Sequence, residues 1–257
     1  MQRKLPGMPK HVILKYFLRE LFFIFAQKYL MIHQLGESNS LLNQFIAEIR
    51  DEVVQKDPLR FRRNLERVGE IFAYEISKKL TYKTREVTTP LGVAKIPMLE
   101  QQPVLATILR AGLPLHQGLL NFFDKAENCF ISAYRSYDPD GEFHIEFEYI
   151  ASPLLDNKVV IMADPMLATG SSMEIAYHAL LEKGEPRHIH LVSVIASRQG
   201  IDYVLSKLPM EKITLWVGAI DPVMTPKSYI VPGLGDAGDL AFGAKIDSKE
   251  SVQHNHF

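Results

Sequence analysis

Cysteine is nearly absent. Cys129 is the only one in 257 residues, which excludes an intramolecular disulfide framework and a cysteine-rich zinc site. An excess of one charge is also missing. Lys plus Arg number 29 against 30 for Asp plus Glu, a net charge of −1. Binding nucleic acid by bulk electrostatics calls for a basic surplus, so this balance argues against it. Gly and Pro, at 15 each, are too few for a collagen-like or low-complexity chain. No repeat of 20–50 residues recurs, which excludes a solenoid. What remains is an ordinary globular composition, 47% hydrophobic and 23% charged. A chain this long buries roughly 70–75% of its unfolded surface and needs no covalent or metal staple.

A long apolar run is lacking too. The nearest approach is Val12 to Ile32, interrupted by Lys15, Arg19, Glu20 and Lys28. A spanning helix needs about 20 mainly apolar residues, and a central charge costs about 2.5–3.5 kcal/mol. The unbroken stretch from Leu21 to Gln27 is too short, and no small-residue cleavage site follows it, which disfavours a signal peptide. The expectation is no membrane partner, a cytoplasmic location, and an extension outside the fold, with Met31 as an internal start. The polar stretch from Lys245 to Phe257 holds His254 and His256 and reads as a frayed tail. His188 and His190 share one face if they lie on a strand. With no third ligand nearby, a metal site is not expected.

From Ser40 the chain alternates helix, strand and loop. Ser40–Val54 and Leu59–Leu80 carry apolar residues at helical spacing, the second opened by Asp57-Pro58. Its polar face holds Arg60, Arg62, Arg63 and Arg67, which suit either a solvated surface or contact with RNA phosphates. Thr81–Pro97 alternates around T-P-L-G and predicts a hairpin. Apolar strands follow at Val104–Leu109, Cys129–Tyr134, Val159–Ala163, Ile189–Ala196 and Ile213–Ile220. Helices are expected at Leu113–Phe123, at Ser172–Lys183 and up to Leu208. Strands apolar throughout, separated by helices, predict an α/β fold with a mainly parallel sheet flanked by helices.

Three segments carry chemistry. In V-V-I-M-A-D-P-M-L-A-T-G-S-S, a buried strand delivers Asp164 to the carboxyl edge of the sheet, where open α/β sheets bind ligands. The small residues up to Ser172 expose backbone N–H groups, Thr169, Ser171 and Ser172 add hydroxyls, and a helix N-terminus follows. This suits a ribose phosphate; an ordinary strand-to-helix turn capped by serine is equally open on this segment alone. It is neither a P-loop nor a dinucleotide fingerprint. In I-L-R-A-G, Arg110 stands at another strand exit beside Gly112, able to clamp a diphosphate by paired hydrogen bonds. Arg135 follows the next strand as a second such cation, and a surface ion pair is the plain alternative for either. The run Y-I-V-P-G-L-G-D-A-G-D-L-A-F-G packs four glycines into the fifteen residues Tyr229–Gly243. It brings backbone close to a small ligand, or forms a structural loop.

Taken together and in this order, I-L-R-A-G, D-P-M-L-A-T-G and Y-I-V-P-G-L-G-D-A-G-D resemble the uracil phosphoribosyltransferase family. The resemblance spans roughly residues 36 to 245 and includes F-R-R-N-L-E-R-V-G-E-I. It implies a type I phosphoribosyltransferase fold with a small hood and a β-arm, the arm expected at His144–Pro153. It implies an extension over 1–35, a catalytic domain over 36–245 and a flexible tail over 246–257. The implied reaction joins uracil to 5-phosphoribosyl 1-diphosphate (PRPP), giving UMP and diphosphate in pyrimidine salvage. Asp164, Pro165, Met166, Leu167, Ala168, Thr169, Gly170, Ser171 and Ser172 would hold the ribose and its 5-phosphate. Arg110 and Arg135 would hold the diphosphate. Ile230, Gly235, Asp236 and Ala237 would meet uracil. Asp236 would also face PRPP and, through water, its Mg²⁺, and is the candidate for helping uracil lose its N1 proton. The family implies homodimers or higher homo-oligomers and, in some members, activation by GTP.

This chemistry is physically coherent. Cleavage at the anomeric carbon develops oxocarbenium-like charge, while cations stabilise the departing diphosphate. A fixed backbone donor accepts the uracil C4 carbonyl and mispairs with the cytosine amine, a discrimination worth factors of about 10⁴ or more. Three features depart from the family pattern. Ser171 stands where many relatives carry Gly, Pro165 follows a single acid, as in the uracil branch, where most other phosphoribosyltransferases have two, and 144–153 lacks lysine. Two competitors remain: a phosphoribosyltransferase for another base such as hypoxanthine or orotate, and a PRPP- or nucleotide-sensing RNA-binding regulator on the same fold. A chain beginning at Met31 is expected to be soluble and active; failure of that shortened chain to fold would overturn the reading of its N-terminal segment.

Overall fold

The computed structural model describes residues 31–137 and 143–245, and of residues 133–137 and 143–148 the backbone alone. The extension expected over residues 1–30 and the tail from 246, with His254 and His256, lie outside the described residues. The main sheet is 8-stranded. In spatial order its strands are β1 (Ile32–Gln34), β10 (Ile213–Asp221), β9 (His188–Ser197), β7 (Val159–Ala163), β4 (Val104–Leu109), β5 (Glu127–Tyr137) and β6 (Phe143–Ala151). The short β8 (Met166–Leu167) pairs with β9 off this path. Every pairing is parallel except that of the edge strand β6 on β5. The expected mainly parallel sheet is therefore present. Strand β1 starts four residues ahead of the expected domain start at 36 and lies in register with Leu215–Val217.

Helices cover both faces because each strand is apolar on both sides. Leu105, Ile161, Val192 and Trp216 point into a core with α1 (Leu41–Arg50), α2 (Pro58–Ser77) and α3 (Leu113–Phe122). Their neighbours Val104, Ala106, Val160, Met162, Leu191, Leu215 and Val217 point into a second core with α4 (Ser171–Leu181) and α5 (Arg198–Lys207). A period of two, apolar on both phases, is what a sheet covered on both faces requires. Ser40 caps α1 by accepting from Leu42 N–H, and Asp57 caps α2 by accepting from Leu59 and Arg60 N–H, as N-cap chemistry demands. Helix α1 stops at Arg50 rather than Val54, because the Asp51 carboxylate turns back to accept from the Val53 and Val54 N–H groups.

The predicted hairpin is present as β2 (Tyr82–Thr89) and β3 (Gly92–Leu99), a separate two-stranded antiparallel sheet. It exposes Leu91, Val93, Ile96 and Met98. The arm expected at His144–Pro153 is instead β6, an edge strand of the main sheet paired with β5. The hairpin that stands apart is the earlier one. His188 and His190 do share a strand face, their rings 4.7 Å apart. His190 Nδ1 accepts from the Trp216 indole at 3.2 Å, and His188 Nε2 meets the Thr214 hydroxyl at 2.9 Å. Burial, with His188 and His33 adding to it, lowers the His190 pKa to about 3. It is a core histidine with a partner.

Helix α1 is fastened to α2 by Glu48, which accepts from Arg60 at 2.8 Å and from the fully buried Asn64 at 2.7 Å. These two hydrogen bonds lower the Glu48 pKa from 4.5 to about 2. A carboxyl depressed in the folded state stabilises it above its unfolded value, and that contribution disappears as pH falls through the folded one. The Glu48 contribution is thus whole above about pH 4.5 and fades towards pH 2. Glu48→Gln should lower stability at neutral pH and flatten this acid limb. The check is an acid titration followed by fluorescence of the single, buried Trp216.

Candidate active site

The carboxyl ends of the parallel strands face one way, and three exits converge there. Strand β7 ends at Ala163, and Asp164 begins the loop to α4. The Asp164 N–H donates to Val192 O at 3.0 Å, and its carbonyl accepts from the Ser193 hydroxyl at 2.6 Å. Pro165 O accepts from the Val194 and Ile195 N–H groups, and Leu167 is 2% exposed. Pro165 and Leu167 are therefore anchors turned into the protein, and β8 stitches this half of the loop to β9. The second half opens outward. Ala168, Thr169, Ser171 and Ser172 are partly exposed, and Gly170 takes φ +89 as the N-cap of α4. Only glycine adopts that conformation without strain, and a Cβ there would lie 2.8 Å from Tyr203. The helix starts at Ser171, one residue earlier than expected.

Strand β4 exits beside it. Thr107 pairs with Ala163, and Gly112 lies so close that a Cβ would approach Ala163 O to 3.0 Å. The peptide between Leu109 and Arg110 is cis. Arg110 Nη2 donates to Asp239 Oδ1 at 3.2 Å and to Gly243 O at 3.1 Å. Its Nε is buried and makes no protein hydrogen bond.

Those partners belong to a small hood after β10. Strands β11 (Val223–Met224) and β12 (Ile230–Val231) form a two-stranded sheet. The cis Val231–Pro232 bond, Gly233 and Gly235 follow, and then α6 (Ala237–Phe242). Ile230 is buried with its side chain in the core. Gly235 has φ +92, and a Cβ there would meet only Leu240, at 4.0 Å. The backbone at Gly235 thus borders open space. Asp236 is the N-cap of α6, its Oδ1 accepting from Gly238 N–H at 2.8 Å and Asp239 N–H at 3.0 Å. Ala237 is buried beneath it.

Sequence reasoning missed the group that seats the hood. Asp221, at the end of β10, is 5% exposed. Arg50 meets both its carboxylate oxygens at 2.8 Å and also donates to Gly233 O at 2.9 Å. Gly233 N–H completes the set on Asp221 at 2.9 Å. Nothing local in the sequence marks this pair, whose members are 171 positions apart. A second unexpected tie is Arg62, which donates to Ala241 O at 2.6 Å and caps the end of α6.

The structure therefore brings together Arg110, the 164–172 loop and the 229–243 loop. Arg135 is on β5, paired with Ile145 two positions before the last residue of the strand rather than beyond its end; its side chain lies outside the described residues. The four arginines of α2 are not a free basic stripe. Arg60 pairs with Glu48, Arg62 serves the hood, Arg63 pairs with Glu66, and Arg67 donates to Asn64 and lies over Phe45. Among the described residues no three His, Cys, Asp or Glu side chains gather to cage a metal. No described helix is long and apolar enough to cross a membrane.

A parallel sheet with a helix N-terminus at one strand exit, an arginine at the next and a glycine-rich hood above them is the layout of a phosphoribosyltransferase. Residues 37–244 match the family model for uracil phosphoribosyltransferase. Curated relatives of that name include one from Porphyromonas gingivalis, 60% identical over 216 residues, which covers 84% of this chain and 99% of the relative. Another, from Methanothermobacter thermautotrophicus, is 40% identical over 211 residues, covering 81% and 94%. Among solved structures, the AQ2163 protein from Aquifex aeolicus superposes with a TM-score of 0.73 at 30% identity, over 84% of this chain and all of that one. The chain belongs to the uracil phosphoribosyltransferase family. Removing one partner of a buried ion pair strands the other charge, so Asp221→Asn should cost about 3 kcal/mol in urea denaturation. A loss near the level of an exposed pair, below about 1 kcal/mol, would mean the hood is seated some other way.

Proposed function

We propose that this protein transfers the phosphoribosyl group of PRPP to uracil, giving UMP and diphosphate in pyrimidine salvage. The observation that carries the reading is the bridge from Arg110 to Asp239 and Gly243 O. It draws the hood down over the strand exits, beside a loop suited to a phosphate. In this reading the N–H groups and hydroxyls of Ala168 to Ser172 receive the 5-phosphate at the positive end of α4. Asp164 accepts from the ribose hydroxyls. Arg110 and Arg135 take the diphosphate. Uracil lies against the backbone of Ile230 and of Gly235 to Ala237, and the open space in front of Gly235 supports that seat. Backbone groups held this firmly can read the C4 carbonyl without rearranging.

Magnesium fits this site as a companion of the substrate. Among the described residues no three carboxylates gather there, and Mg²⁺ is commonly held by substrate phosphates with one or two carboxylates. Asp236 would reach it through water, and the ion would neutralise the leaving diphosphate. The cap at Asp236 Oδ1 gives this residue a second duty, which is to aim the backbone of α6 towards the base. The exposed apolar side chains of the β2–β3 hairpin support a homodimer or higher homo-oligomer.

The test is a panel of bases with PRPP and Mg²⁺. UMP should form from uracil far faster than products form from hypoxanthine, orotate or cytosine. Ready conversion of another base, with uracil inert, overturns the reading. Asp236→Ala should reduce turnover far more than stability, since a lost cap costs about 1 kcal/mol. Asp236→Asn keeps an N-cap acceptor and separates the role of the charge from that of the cap.

A further inference from the structure

A tyrosine of α5 braces both the phosphate loop and the first turn of α4. Thr169 Oγ1 donates to Ser171 Oγ at 3.2 Å. Tyr203 donates its proton to Glu174 Oε2 at 2.5 Å. The Tyr203 ring also packs against Gly170, where even a methyl group would come within 2.8 Å. Glu174 is the one acid in the first turn of α4. A negative charge there stabilises a bare helix but opposes an anion that must bind at the same end.

From this geometry we infer that Tyr203 is a positioning residue for the phosphoribosyl donor. Its hydroxyl holds the Glu174 carboxylate against α5, away from the phosphate. The inference rests on the reading of 168–172 as the 5-phosphate seat. The Ser171 hydroxyl accepts from Thr169 and retains its own proton for an arriving phosphate.

Tyr203→Phe removes the hydroxyl and leaves the ring on Gly170. The expected result is a rise in KM for PRPP of roughly fivefold to tenfold, the worth of one or two net hydrogen bonds. The kcat should stay within about twofold and Tm should fall by no more than a few degrees, as for a partly exposed substitution. Adding Glu174→Gln to Tyr203→Phe should bring KM most of the way back, because the released charge is gone. A merely structural tyrosine would not be rescued by neutralising its partner. An unchanged KM in Tyr203→Phe overturns the inference, as does a rise that Glu174→Gln leaves in place, or a fall of kcat in step with Tm. Calorimetric titration with ribose 5-phosphate should follow the same pattern without any base present. An enzyme inert toward uracil would overturn the functional reading, and the calorimetry would still decide the role of Tyr203.

Discussion

A carboxylate that is almost fully buried survives only with hydrogen-bond partners, and Asp221 has them on both oxygens. The Arg50 guanidinium grips both oxygens, and Gly233 N–H takes one of them again. Desolvation makes such a pair an uncertain source of stability against an apolar alternative. It is nevertheless a firm source of geometry, because no displaced arrangement keeps both charges satisfied. Through it the end of α1, the end of β10 and the first residues of the glycine-rich loop become one unit. The rest of the hood follows from that point. Arg62 ties α6 to α2, and Arg110 ties it to the exit of β4.

The sheet supplies the other half of the arrangement. Parallel strands apolar on both faces have one place to put polar groups, which is their ends. Strands β4 and β7 are neighbours in register at Thr107 and Ala163, so their exit loops must lie side by side. The 164–170 loop then divides its labour. Pro165 to Leu167 anchor it on β9, and Ala168 to Ser172 are left to face outward. Gly200 keeps the anchor close, for a Cβ there would come within 2.3 Å of Ala168 O.

The arginines of α2 show where composition misleads. Read from the chain, Arg60, Arg62, Arg63 and Arg67 form a basic stripe that suits either a solvated surface or RNA. In the fold each has a partner on the protein, and the partners lie on α1, on the hood or one helical turn away. A near-neutral chain distributes its cations in this way. The same accounting explains how a net charge of −1 accompanies sites suited to phosphates, since backbone N–H groups and one or two placed arginines suffice.

Much of the protein was legible in the sequence because the signals were local. Apolar strands, caps such as Asp57-Pro58, and a glycine run are properties of a few adjacent residues. They yielded the parallel sheet, the strand Val104–Leu109 to the residue, and the three segments that converge on the site. The tertiary structure alone decided which hairpin stands apart, that Arg135 sits within a strand, and that Asp236 caps a helix. It alone joined Arg50 to Asp221 and Tyr203 to Glu174. Those contacts link residues far apart along the chain, and their partners are chosen by packing. No short window of sequence contains both members of such a pair, so the chemistry of one side chain does not announce the other.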